Sequence, residues 1–141
     1  YNEDIDKDDS VRPESYKSFR KEASELEAFI FVTPEYNRTI PAALKNALDV
    51  GSRPYGESIW NNKPAMVVSH SISGLSGFGA NHSIRQNLVC LNMPVMQQPE
   101  LYLGNSSSML DDSGNITSED TKEFLQDAVN SFITYCEKLT N

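Results

Sequence analysis

The fold turns on the stretch Ala28-Phe29-Ile30-Phe31-Val32-Thr33, closed by Pro34. It is continuously apolar, aromatic and β-branched, and too short for a helix of ordinary length. Such a run reads as a strand buried on both faces, the habit of parallel sheets. A second run of the same kind is Pro64-Ala65-Met66-Val67-Val68-Ser69. A third strand is expected over about Pro94 to Leu103, with Pro99 marking it as irregular or an edge.

Helical periods lie between these runs. Ser10 is placed to cap a helix with Pro13 in its first turn, and Tyr16, Phe19, Ala23 and Leu26 form one stripe. Pro41 opens a second helix carrying Ala43, Leu44, Ala47 and Leu48, broken by Gly51 to Gly56. A third is expected from about Asn81 to Leu91, burying Ile84, Leu88 and Leu91. The last follows the capping signature at Thr117 to Asp120, with Phe124, Leu125, Ala128, Val129, Phe132, Ile133 and Cys136 on one side. Alternation of strand and helix predicts an α/β fold with a parallel sheet and helices on both faces.

The chain has 141 residues, the size of one domain, and can bury about 70% of its unfolded surface. Twelve Lys and Arg against twenty Asp and Glu give a net charge of −8, which argues against nucleic acid and anionic membranes as partners. No apolar run approaches the length of a membrane span, and no signal peptide is evident, so the expected location is the cytoplasm. Two cysteines, Cys90 and Cys136, lie among apolar residues and read as buried, inert thiols. Residues 1–12 read as a solvated acidic lead-in; Asp4, Asp6 and Asp8 open like a calcium loop, but Asp9 and Ser15 stand where Gly and Glu are required.

In open parallel sheets, ligands bind beyond the carboxyl ends of the strands. Two loops leave such ends: Pro34-Glu35-Tyr36-Asn37, and the Gly/Ser-rich stretch from Ser71 to Gly79. Tyr36 offers a flat apolar face, and Asn37 offers donors and acceptors to a heterocycle edge. Ser71, Ser73, Gly74 and Gly77 offer backbone N–H groups with few side chains in the way. The pair suits a planar, polar-edged ring, although local features alone favour two tight helix-capping turns. A hydrolase lacks support, since Gly74-Leu75-Ser76-Gly77 has the wrong spacing for a nucleophile elbow. His70, His82, Cys90 and Cys136 form no metal-ligand pattern. Sequons at Asn37, Asn81, Asn105 and Asn115 read as chance in a chain without a secretory signal.

Phe31-Val32-Thr33-Pro34-Glu35-Tyr36-Asn37, Ile40-Pro41, Leu44-Lys45-Asn46-Ala47-Leu48-Asp49 and Ser52-Arg53-Pro54-Tyr55 together resemble the NADPH-dependent FMN reductase family. Lys63-Pro64, Ile84-Arg85-Gln86 and Gln98-Pro99-Glu100 extend the likeness across residues 1 to 137. That family is flavodoxin-like and includes quinone, azo-dye and chromate reductases. The resemblance implies strand order 2-1-3-4-5 in a complete domain, of which three strands lie here. It implies FMN as cofactor, held by Pro34, Glu35, Tyr36, Asn37, Ser71, Ser73, Gly74 and Gly77. It implies hydride transfer from NADPH or NADH through the flavin to a small-molecule acceptor, with no catalytic acid or base in the protein. A homodimer or homotetramer is implied, with the Pro41 helix and Ser52 to Tyr55 as candidates for its interface. Two departures stand out. Gly77-Phe78-Gly79 has no nearby Arg where the family commonly reads Gly-Gly-x-Arg, which leaves NADPH against NADH open. The sequence also begins at a segment like the family's Leu-Tyr-Asn-x-Asp stretch. The expectation is therefore a domain spanning 1–141 that lacks the first strand and phosphate loop, through a portion not included, proteolysis, or gene truncation. Without that strand Phe29–Thr33 would form an exposed apolar edge, and a non-catalytic flavodoxin-like interaction module is the alternative.

Overall fold

The computed structural model describes residues 1–140; Asn141, the last residue of the expected domain, lies outside the described residues. The elements run α1 (Glu3–Asp6), α2 (Glu14–Ser24), β1 (Phe29–Pro34), α3 (Ala42–Gly51), β2 (Ala65–His70), α4 (Phe78–Cys90), β3 (Leu101–Leu103), a 3-10 turn (Ser106–Ser108) and α5 (Glu119–Thr140). The three strands are parallel and lie in the order β1-β2-β3. Register places Phe31 beside Val67 and Thr33 beside Ser69.

One sheet face carries Phe31, Ala65 and Val67 against Leu48 of α3 and Ala80, Ile84 and Leu88 of α4. Trp60 closes this layer: its ring meets Phe29 edge-on at 4.9 Å, and its Nε1–H donates to the Leu48 carbonyl at 2.9 Å. Gly51 permits this, because a Cβ there would stand 2.5 Å from the indole. The other face carries Met66, Val68 and Leu101 against Met96 and the Ala128 and Phe132 stripe of α5. The Ser118 hydroxyl accepts from the Thr121 N–H at 3.3 Å, so the expected cap of α5 forms.

The structure corrects several expectations. β1 is not buried on both faces: Ile30 is 46% and Val32 64% exposed. α5 lies over β2 and β3, and no described element packs over Ile30 and Val32. The third strand shrinks to three residues plus a bridge from Val95 to Ala65. α2 begins at Glu14 with Pro13 as its cap, while Ser10 instead bonds the Asp8 carboxylate. The acidic lead-in is not wholly solvated. Asp6 is 5% exposed and takes the Arg20 fork at 2.8 and 2.7 Å. Arg20 also donates to the Val50 carbonyl at 2.8 Å, so one guanidinium joins α1, α2 and the end of α3. Its hydrogen bonds hold the Asp6 carboxyl below the usual range. Neither cysteine is buried: Cys90 is exposed and Cys136 half-buried. Cys90 is two residues past Leu88, which turns it away from the Asn81, Ile84 and Leu88 face.

Candidate functional site

β1 and β2 end side by side, Pro34 opposite His70, so both suspected loops rise from the same edge of the sheet. The first is a tight hairpin. Tyr36 N–H donates to the Thr39 carbonyl at 2.9 Å, and Thr39 N–H returns to the Tyr36 carbonyl at 3.0 Å. Asn37 and Arg38, the two central residues, have φ of 50° and 68°. A two-residue turn with both φ values positive follows the right-handed strand twist, and Asn favours it. The turn leaves Tyr36 61% exposed at its base.

The second loop is shorter than expected and ends at Gly77, because Phe78 and Gly79 already belong to α4. Ser71 and Ser73 share a hydroxyl contact at 3.1 Å, and Ser76 N–H donates to the Ser73 carbonyl at 3.2 Å. Gly77 has φ 72° and lies buried; a Cβ there would meet the His70 carbonyl at 2.9 Å. It packs beneath the loop, whereas Gly74 lies at the exposed tip with nothing within 4 Å of a Cβ position. The loop after β3 braces this one: Ser106 N–H donates to the Ser71 carbonyl at 3.0 Å, and a Cβ on Gly104 would stand 2.5 Å from Ser76 Oγ.

A polar network under the second loop escaped the sequence reading. Asn81 and Ser69 are both fully buried. Asn81 Nδ2 donates to Ser69 Oγ at 3.2 Å, and Ser69 Oγ donates to the Ser76 carbonyl at 3.1 Å. Arg85 Nε donates to Asn81 Oδ1 at 2.8 Å and its Nη1 to the Met96 carbonyl at 3.1 Å. The side chains of Ser69, Asn81 and Arg85 each have a partner in this network, so burial sets their geometry without an unmet bond. The signal was present: Asn81 shares the helical face of Ile84 and Leu88, where an amide needs a reason.

The loops meet across the start of α4. Thr39 Oγ1 and Ser83 Oγ are 2.7 Å apart. Glu35 turns inward and accepts from the Ala80 N–H at 3.1 Å. Gly79 was not among the expected site residues, yet a Cβ on it would stand 2.7 Å from the Arg38 carbonyl. Pro34, Tyr36 and Asn37 are thus brought beside the loop bearing Ser71, Ser73 and Gly74, while the Glu35 side chain and Gly77 are engaged within the scaffold.

These residues suit the ring of a flavin. Exposed Tyr36, Ile72, Leu75 and Phe78 put apolar surface at the two loops and the start of α4, and Gly74 leaves its flank open. Among the described residues no cluster of three or more His, Cys, Asp or Glu is placed to hold a metal, and no helix is long and apolar enough to cross a membrane.

Comparison with known proteins bears on the family and the fold. A quinone reductase of Pseudomonas putida is 53% identical over 135 residues, covering 96% of this chain and 71% of that protein. A 2-hydroxy-1,4-benzoquinone reductase of a Burkholderia species is 36% identical, covering 96% and 72%. A flavoenzyme NAD(P)H:(acceptor) oxidoreductase from Paracoccus denitrificans superposes with a TM-score of 0.87 at 33% identity, over 98% of this chain and 74% of that one. The sheet is the flavodoxin-like one that the resemblance implied. With the family profile described as NADPH-dependent FMN reductase matching residues 1–108, the chain belongs to the NADPH-dependent FMN reductase family.

Proposed function

We propose that this chain is an FMN-dependent oxidoreductase that passes a hydride from NAD(P)H to quinone-like acceptors. The observation that carries the reading is the joining of the two loops at adjacent strand ends, with apolar rings exposed around them. When bound, FMN would supply the two-electron hydride chemistry between NAD(P)H and the acceptor. The protein's work is binding and placement. Tyr36 and the hairpin backbone would hold the ring, with the Ser71 to Gly74 loop at its flank. Gly77 serves by letting that loop lie close on β2. Exposed apolar side chains at Ile72, Leu75 and Phe78 favour a flat, weakly polar acceptor such as a quinone over a charged one. A homodimer or homotetramer working in the cytoplasm completes the proposal, on the strength of the family resemblance.

The test is a titration of the chain with FMN followed by flavin fluorescence, then NADPH and NADH oxidation with a benzoquinone. Saturable quenching and quinone-dependent turnover are expected. A folded chain that leaves flavin fluorescence unchanged would refute the assignment for this chain.

A further inference from the structure

The helix α4 begins without a side-chain cap of its own, since Gly77 occupies the cap position. The third N–H of the helix, that of Ala80, is instead met by Glu35 from the neighbouring hairpin, forty-five residues earlier, at 3.1 Å. The carboxylate therefore sits where the helix N-terminus favours negative charge. Its other oxygen takes Arg38 Nη1 at 3.2 Å, and the side chain is 9% exposed. A Cβ on Gly79 would stand 2.9 Å from Glu35 Oε2, so the packing admits the carboxylate only because that position is glycine.

We infer that Glu35 is a positioning residue: it fastens the Pro34–Arg38 hairpin to α4, and so sets the spacing between the two loops that hold the flavin. This deepens the proposed function and rests on it for the word flavin. Glu35 acts through the Ala80 N–H and the hairpin backbone, not by touching the ring. Its side chain faces the protein, whereas those of Tyr36 and Asn37 beside it are exposed. Tyr36 and Asn37 then depend on it for their place.

The experiment compares the wild-type chain with Glu35→Ala and Glu35→Gln. Amide exchange at Ala80 is followed by NMR without flavin, and FMN affinity is measured beside it. Glu35→Ala removes the acceptor. Ala80 should lose about tenfold in protection and FMN affinity should fall about tenfold, with far-UV circular dichroism unchanged. Glu35→Gln keeps an oxygen for Ala80, and it should retain Ala80 protection and FMN affinity within about twofold. Unchanged Ala80 exchange in Glu35→Ala overturns the inference, as does a Glu35→Gln variant that keeps Ala80 protection yet loses FMN affinity, which would mean that the carboxylate serves the flavin other than through the Ala80 bond. If the wild-type chain takes no FMN, the proposed function fails on that result alone. The exchange measurement still decides whether the clasp exists.

Discussion

Replacing Gly79 with alanine sets two physical effects against each other. In a helix interior the change alone stabilises by about 1 kcal/mol. Here the new methyl would stand 2.7 Å from the Arg38 carbonyl oxygen and 2.9 Å from Glu35 Oε2. Ordinary carbon–oxygen contacts begin near ~3.3 Å, so the hairpin must retreat by about 0.6 Å. The Arg38 carbonyl is backbone and cannot swing aside. The same retreat stretches the Glu35–Ala80 bond from 3.1 Å to a length at which little of it survives. Loss of a charged, half-buried hydrogen bond costs about 1.5–3 kcal/mol. The net expectation for Gly79→Ala is a loss of about 1 kcal/mol, or about 3–4 °C in Tm for a chain of this size. Urea unfolding with linear extrapolation measures it, and FMN affinity should fall in parallel. Gly74→Ala is the internal control, since nothing lies within 4 Å of its Cβ position and the fold should tolerate it. A Gly79→Ala variant more stable than wild type by the full helix-propensity gain would refute the clasp geometry.

Tyr36→Ala should weaken FMN binding while leaving the unfolding midpoint within about 0.5 kcal/mol, because the ring is 61% exposed; isothermal titration with undiminished affinity would remove Tyr36 from the site. Arg20→Met leaves the buried Asp6 carboxylate with Arg12 as its partner, whose Nε lies 3.1 Å away, and should cost about 1.5–3 kcal/mol near neutral pH. Because the folded Asp6 pKa is lowered, the wild-type stabilisation is complete above the ordinary carboxylate value and disappears as pH falls through the lowered one. The gap between wild type and Arg20→Met should therefore shrink on acidification, and a gap constant with pH would contradict this reading. Gly51→Ala drives a methyl into the Trp60 indole and should cost about 1–3 kcal/mol with a change in tryptophan emission. An unaltered emission spectrum would show that the ring is not seated there.

Residue order by itself determined β1, β2, the helices from α2 to α5 and their alternation, but neither α1 nor the trimmed extent of β3. Apolar runs such as Phe29 to Thr33, and 3.6-residue stripes such as Ala128 to Phe132, are local patterns that follow directly from how side chains project from strand and helix. The same locality made Pro34 to Asn37 and Ser71 to Gly79 legible as loops at strand ends, the second two residues too long. What those patterns lack is the identity of the partner across space. An aspartate in an acidic run looks solvated until Arg20 folds over it. Ile30 and Val32 look buried in any strand, yet burial depends on whether a layer lies above them, and α5 covers only β2 and β3. Glu35 reads as a ligand-facing residue of a binding motif, and only the approach of α4 turns it into a cap for Ala80. Asn81, Gly79 and Gly104 acquire their roles from contacts with residues distant in the chain. Tertiary structure decided these points because hydrogen bonding and burial are pairwise and long-range, while periodicity is a property of one segment at a time.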